Sequence, residues 1–314
     1  MAHRKKIIID TDPGIDDALA LILSLYSPEI EIQAVTTVCG NVPVQLATKN
    51  VFRLLSLMEI KTPPPVATGS GQPLHEDPAF AFHVHGSDGL GGLNIFKDLN
   101  TPHIDTLPEA TGLISEIVSK HPGEVTLVML GPLTNLALLL QNDEAAAKKI
   151  KEVIIMGGAV FVPGNITPHA EFNIYHDPHA AKAVFGSGLN ITLAGLDVTT
   201  KCTLKKEDLS IMGRPNTPLK QFTFQVLEKY LDFYLEKRGI PFCHLHDPLA
   251  AAIAIKPKLV TTKLMNIDVS LDKEEKGKTF PNKADKTPPT TRVCIDVDHE
   301  AFKKLFIERV LVVL

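Results

Sequence analysis

The stretch Ile7-Ile8-Ile9-Asp10-Thr11-Asp12-Pro13-Gly14-Ile15-Asp16-Asp17-Ala18 decides how this chain is read. An apolar run stops at Pro13-Gly14, and a second apolar stretch, Ala18 to Tyr26, follows at once. That pattern predicts strand, tight turn and helix, with the acids packed into the turn. Carboxylates so placed repel one another unless something positive sits among them. A hard cation such as Ca²⁺ or Mg²⁺ is the simplest neutraliser, because both take carboxylate oxygens. Helix capping by Asp16 or Asp17 is the plainer alternative. It leaves Asp10 and Asp12, on the strand side, unexplained. A metal or polar-ligand site accounts for more of the pattern.

Outward from this segment, strand-like and helix-like runs alternate. Lys6–Ile9 leads to a helix over 16–26, Ile32–Thr37 to one near 44–59, and Val125–Leu130 to one near 134–141. Val153–Met156 runs into Gly157-Gly158 and a long loop. Asp177-Pro178 opens a helix that ends near Gly186, and Ile191–Leu196 predicts the next strand. Gln221–Arg238 is a long helix closed by Gly239, and an Ala-rich helix follows at 249–255. Leu264–Leu271 and Thr291–Val297 each suggest a strand, with the charged stretch Asp272–Lys286 as an exposed hairpin loop between them. A last helix starts at His299. The expected fold is α/β: a single domain, residues 1–314, with a mostly parallel open central sheet flanked by helices and a C-terminal β-hairpin.

Composition narrows the class. The 314 residues are 44% hydrophobic and 22% charged, as suits a globular protein with a large core. A net charge of −4, from 32 basic and 36 acidic residues, gives no basic excess for nucleic acid or a membrane surface. No apolar stretch is long enough to span a bilayer, and the basic start is not followed by a signal-peptide core. Cys39, Cys202, Cys243 and Cys294 are scattered, as expected of reduced thiols in a cytoplasmic protein.

Open parallel sheets bind ligands at the carboxyl ends of their strands, and unusual polar residues gather there in this sequence. Asp10 and Asp12 close the first strand, Asn41 follows the second, and the Leu130 carbonyl ends another before Gly131-Pro132. Asn165, Glu171 and Asn173 follow the strand ending at Met156. His246-Asp247-Pro248 precedes the Ala-rich helix, where Asp247 reads as an N-cap with Pro248 at the first helical position. His83-Val-His85 opens a glycine-dense loop. Two histidines alone would suggest zinc, but the acids favour a hard ion.

Asp10-Thr-Asp-Pro-Gly-Ile-Asp-Asp17 resembles the N-terminal signature of the nucleoside hydrolases. Val-Thr-Thr-Val-Cys-Gly-Asn41, His-Val-His-Gly86, Leu-Gly-Pro-Leu-Thr-Asn135, Met-Gly-Gly158, Gly-Asn165, Ala-Glu-Phe-Asn173 and His-Asp-Pro248 are similar to further blocks of that family, in order along nearly the whole chain. The resemblance implies Ca²⁺ held by Asp12, Asp17, the Leu130 carbonyl and Asp247. It implies ribose hydroxyls on Asp16, Asn41, Met156, Asn165, Glu171, Asn173 and Asp247, with His85 and His246 beside the leaving base. It also implies a small-molecule ribonucleoside as partner and a homodimer or homotetramer.

The chemistry needs three things. Metal-activated water attacks an oxocarbenium-like ribose, with Asp12 expected to take its proton. Hydroxyl contacts hold the sugar, and a histidine, His246 with help from His85, protonates the base. Purine-specific relatives stack the base on tryptophan, and this chain has none. An inosine–uridine or pyrimidine preference is therefore expected, with Phe80, Phe82, Tyr230, Tyr234 or Phe242 bordering the base. Two other readings stay open here. A haloacid-dehalogenase-like phosphatase also begins with a strand ending in Asp-x-Asp, and a nucleoside-binding protein without turnover would keep the same pocket.

Overall fold

Strand β1 (Lys5–Thr11) sets the layering. Ile7 and Ile9 pack into one buried core and Ile8 into another, as the two-residue period of a strand requires. A strand buried on both faces belongs to a sheet covered on both sides. The computed structural model describes residues 4–96 and 103–312 and has that form. The other strands of the sheet are β2 (Ile30–Thr37), β3 (Val66–Thr68), β4 (Val125–Met129), β5 (Glu152–Met156), β6 (Ile191–Ala194), β7 (Val260–Met265) and β8 (Thr291–Val297). They form one 8-stranded sheet in the order β3-β2-β1-β4-β5-β6-β8-β7. Every pairing is parallel except β8 with β7.

Helices Ile15–Leu25, Pro218–Arg238, His246–Ile255 and His299–Phe306 contribute to the core on the Ile7 face. Helices Ala110–Lys120, Thr134–Asn142 and Pro178–Phe185 contribute to the other. Helix Ile15–Leu25 packs on helix His246–Ile255. Both helices carry buried alanines, Ala18 and Ala20 on one and Ala250, Ala251 and Ala254 on the other, and the two helix starts lie close together. Each of those starts carries aspartates.

The α/β sheet follows the sequence expectation, and two segments depart from it. Ile191–Leu196 ends as a strand at Ala194; Gly195 caps a short helix, Leu196–Thr199. The C-terminal region holds two pairings rather than one. The run from Leu264 to Leu271 is divided: β7 pairs with β8, while Ile267–Val269 pairs antiparallel with Thr279–Pro281 as a separate hairpin. The change of partner falls at Asn266, whose side chain donates to the Thr287 carbonyl at 3.0 Å. Within the charged stretch Asp272–Lys286, Thr279 is buried, because its hydroxyl accepts the Ala159 N–H at 2.9 Å. Of the terminal segment, residues 307–312 form a π-helical turn, and Val313 and Leu314 lie outside the described residues.

Asn135 fastens the carboxyl ends of the first strands. Its amide donates to Asp10 Oδ2 at 2.7 Å and to the Thr37 carbonyl at 2.9 Å, and its oxygen accepts the Ser70 N–H at 2.9 Å. Thr36 Oγ1 donates to the same Asp10 oxygen at 2.5 Å. Burial pushes the Asp10 carboxyl up to about 7, against these two hydrogen bonds. Replacing Asn135 by Ala takes a partner from two buried acceptors, Asp10 Oδ2 and the Thr37 carbonyl, and from the half-buried Ser70 N–H. The expected cost is about 3 kcal/mol of unfolding free energy, read by urea denaturation. A loss below about 0.5 kcal/mol would show that the fastening carries no weight.

Candidate active site

The strand order reverses between β1 and β4, where an open parallel sheet forms a crevice at its carboxyl edge. β1 runs into Asp12 and β4 into Leu130. Asp12 is fully buried, and its Oδ2 accepts the Asn41 N–H at 2.6 Å. Its Oδ1 has no hydrogen-bond partner. Glycines make the space for this carboxylate: a Cβ at Gly40 would stand 2.0 Å from Oδ2, and one at Gly131 2.6 Å from Oδ1.

Asp17 both caps and clusters. It is the third residue of helix Ile15–Leu25, and its Oδ2 accepts the Gly14 N–H at 2.9 Å and the Asn41 amide at 3.1 Å. Its Oδ1 accepts Thr11 Oγ1 at 2.5 Å. Asp247 departs from the capping expectation. Leu245 is the N-cap of helix His246–Ile255, so Asp247 stands inside the first turn and makes no cap bond. Its carboxylate is left for the crevice. One oxygen each from Asp16, Asp17 and Asp247 lies within 4.8 Å of the others. The set expected from sequence held Asp12 and the Leu130 carbonyl with Asp17 and Asp247; in the structure Asp16 joins the tight cluster and Asp12 sits against its Asp17 side.

Burial, and then the charge of Asp17, push Asp12 well up and Asp16 up to about 8. Burial followed by Asp16 and Asp17 does the same to Asp247. The two helix N-termini add partial positive charge. A buried oxygen-only donor set, an unpartnered Asp12 Oδ1 and carboxyls that resist ionising together fit a hard divalent cation.

Above this floor lies a cavity of about 100 Å³, open to solvent. One wall is polar. The loop after β5 is pinned through consecutive backbone N–H groups: Gly158 to Glu171 at 3.0 Å, Ala159 to Thr279, and Val160 and Phe161 to Asp197 at 3.0 and 2.8 Å. Glu171 also caps helix Phe172–His176 through the Asn173 and Ile174 N–H groups, and Asn165 accepts the Phe172 N–H at 3.0 Å. Asn173 donates to the Leu130 carbonyl at 2.6 Å and to the Met156 carbonyl at 3.2 Å. Asp16, Asn41, Leu130, Met156, Asn165, Glu171, Asn173 and Asp247 all line the cavity, whereas fully buried Asp12 and Asp17 lie beneath it.

The other wall is aromatic. His85 Nδ1 accepts the Ile15 N–H at 3.0 Å. His246 Nδ1 meets Thr199 Oγ1 at 2.8 Å, and its Nε2 stands 3.4 Å from the Tyr234 hydroxyl. Burial lowers His85 to about 4 and His246 to about 3, so both rings are neutral near pH 7. Tyr230, Phe233, Tyr234 and Arg238 come from helix Pro218–Arg238. The Arg238 guanidinium lies 5.9 and 5.8 Å from the Phe233 and Tyr234 ring centres. Of the aromatics proposed from sequence, Tyr230 and Tyr234 line the cavity; Phe80, Phe82 and Phe242 do not. Phe233 and Arg238 were missed there, although positions 230, 233, 234 and 238 share one face at helical spacing.

Asp10 faces Thr36 and Asn135 rather than the cavity. The Asp-x-Asp pair of a dehalogenase-like phosphatase is therefore not presented here. The four cysteines are free and buried, and no described helix is long and apolar enough to cross a membrane.

The model of the inosine-uridine preferring nucleoside hydrolase family matches residues 7–304. The chain is 41% identical over 266 residues to uridine nucleosidase 1 of Arabidopsis thaliana, covering 84% of this chain and 77% of that protein. It is 38% identical over 307 residues to the pyrimidine-specific ribonucleoside hydrolase RihA of Escherichia coli O7:K1, covering 96% and 97% of the two. The solved plant nucleoside hydrolase PpNRh1 superposes with a TM-score of 0.91 at 36% identity, over 98% of this chain and 99% of that one. The chain belongs to the inosine-uridine preferring nucleoside hydrolase family, and so to the N-glycosyl hydrolases.

His176, buried at the end of helix Phe172–His176, gives the fold a pH dependence. Burial lowers it from 6.5 to about 4. The unfolded chain therefore binds this proton at a higher pH than the folded one. The contribution to stability is complete above pH 6.5 and is lost as pH falls through 4. Replacing His176 by Leu should make the stability loss between neutral pH and pH 4 shallower by about 3 kcal/mol, read by denaturant unfolding across that range. An unchanged slope would remove His176 from the acid limb.

Proposed function

We propose that this chain hydrolyses the N-glycosidic bond of ribonucleosides to free base and ribose, with Ca²⁺ as its metal and with either an inosine-uridine or a pyrimidine-nucleoside preference rather than a purine-specific one. What carries the reading is one juxtaposition. A carboxylate cluster and a wall of amides and acids face an aromatic and histidine wall across one cavity. Such a cavity suits a ligand that is a polyol at one end and a ring at the other.

Asp16, Asn41, Asn165, Glu171, Asn173, Asp247 and Met156 take the ribose hydroxyls. Asp12, Asp17, Asp247 and the Leu130 carbonyl would hold Ca²⁺, which when bound would offset the carboxylate charge and make water easier to deprotonate. Asp12 would be the carboxylate that receives that proton. Positive charge grows on the ribose ring as the bond to the base stretches, and the carboxylates around it stabilise that charge in a dry site. Water entering from the face opposite the base inverts the anomeric carbon. His246 gives the base its proton from Nε2. The ring is neutral in the ligand-free site, so it takes that proton from solvent before handing it on, and negative charge on the base favours the uptake. His85 donates a hydrogen bond from Nε2. The lack of tryptophan, and relatives named for uridine and pyrimidine nucleosides, support the base preference. The reading includes a cytoplasmic homodimer or homotetramer.

Release of free ribose from uridine, cytidine, inosine, adenosine and guanosine tests this directly. Uridine, inosine or cytidine should lead the ranking, chelation should abolish release and added Ca²⁺ should restore it. Binding without release in the presence of Ca²⁺ would make the chain a nucleoside-binding protein instead. The buried polar wall also predicts discrimination against a missing hydroxyl. Turnover of 2′-deoxyuridine should fall at least about 1,000-fold below that of uridine. Comparable turnover of the two would remove hydroxyl recognition from the polar wall.

A further inference from the structure

A second cavity, of about 270 Å³, lies at the amino edge of the sheet, where helix His246–Ile255 ends. Ile7, Thr126 and Glu152 stand side by side there, one each from β1, β4 and β5, and Ile154, Thr192 and Arg292 form the next row. The charges do not balance. Among the described residues Glu152 is the one carboxylate lining the cavity. Its Oε1 accepts from Arg292 Nη2 at 2.8 Å and from Thr192 Oγ1 at 2.7 Å. Arg292 thus answers Glu152, and Lys5 and Lys151 are left over. Lys5 is half-buried, and its Nζ donates to the Ala254 carbonyl at 2.8 Å. An ammonium has further N–H groups beyond the one used there. Lys151 is exposed, and among the described residues neither lysine side chain is in an ion pair. Burial lowers the Lys5 ammonium from its ordinary value; Glu152 and Glu29 oppose this and Lys151 adds to it, so the two lysines lie in each other's field. The Thr126 hydroxyl makes no hydrogen bond among the described residues. Ile7, Ile154, Ile253 and Val260 make much of the remaining lining apolar.

We propose that this cavity binds a phosphate dianion, free or as the head of a small phosphomonoester, on Lys5, Lys151 and the Thr126 hydroxyl. Charge selects the class. A carboxylate carries a single charge and would leave one ammonium unanswered, whereas a phosphate near neutral pH carries close to two. Its oxygens accept hydrogen bonds, and each of the three protein groups can donate one. Repulsion from Glu152 keeps the anion on the lysine side of the cavity. An ammonium is a compact charge on a flexible stem, so two of them close on one oxyanion without the planar fit that a guanidinium needs. Half-burial of Lys5 leaves that contact less screened by salt than one on open surface. The apolar lining gives the organic part of a phosphomonoester somewhere to lie. None of these residues lines the crevice at the other edge of the sheet, so the site stands apart from the hydrolytic one.

The test is a binding titration at about pH 7.5 and fixed ionic strength, with inorganic phosphate and phenyl phosphate as probes and methanesulfonate as a monoanion of similar shape. Wild type should bind one equivalent of phosphate, and methanesulfonate at least about 10-fold more weakly. Two variants are compared with it. K151M removes an exposed charge, and K5Q removes a charge while keeping a donor for the Ala254 carbonyl. Each should weaken phosphate at least about 10-fold. Tighter binding of phenyl phosphate than of inorganic phosphate assigns the site to phosphomonoesters, and the reverse order to free phosphate; either order supports the site. Each titration is repeated with a metal chelator. Binding that the chelator abolishes would put the anion on a metal in the crevice and overturn the inference. Equal affinities in wild type and K151M, methanesulfonate bound as tightly as phosphate, or no binding of either probe would also overturn it. If K5Q does not fold, wild type against K151M carries the same test. Failure here leaves the nucleoside hydrolase reading untouched, because the two sites share no residue.

Discussion

Everything around the crevice follows from the difficulty of keeping several carboxylates together out of water. Asp12, Asp16, Asp17 and Asp247 are all buried. The groups that donate to Asp12 and Asp17 are backbone N–H groups, the Thr11 hydroxyl and the Asn41 amide, with no ammonium or guanidinium among these bonds. Such donors reduce the repulsion and do not remove it, which leaves a standing demand for a cation. The packing that creates the demand is apolar. Helices Ile15–Leu25 and His246–Ile255 pack against each other with their starts close together, and the acids are carried along with them. Filling a core and assembling a charged site are here one event.

Much of this was legible in the sequence, because strand ends write their chemistry locally. Asp12, Asn41, Leu130, Glu171 and Asn173 each follow a predicted strand, and a parallel sheet has only one carboxyl edge. Where two residues of the same kind compete, the sequence is silent. Asp10 and Asp12 look alike, and what separates them is Asn135 and Thr36, both far along the chain. Asp247 read as a cap because Asp-Pro is a good helix start, yet the helix begins two residues earlier than that reading has it, at His246. Which residue begins a helix is set by what the helix docks against.

Other features had no local signal. The run from Leu264 to Leu271 is uniformly strand-like, and nothing in it marks Asn266 as the point where pairing passes from β8 to Thr279–Pro281. Thr199 sits in a Val-Thr-Thr sequence with no local signal, and its contact with His246 is made across 47 residues of chain that include helix Pro218–Arg238. The aromatic wall falls between these cases. Its spacing was visible, but only once helix Pro218–Arg238 had a face turned toward the crevice.

The pinned loop after β5 has a further consequence. Its N–H groups are tied to Glu171, Thr279 and Asp197, so the polar wall is built largely from main chain and from side chains already committed elsewhere. The opposite wall is made mostly of side-chain tips from one helix and one glycine-rich loop, each replaceable without disturbing a strand. One half of the pocket is thus inherited with the fold, and the other is open to variation. Point changes at positions such as 230, 233, 234 and 238 would reshape one wall of the crevice and leave the other as it was.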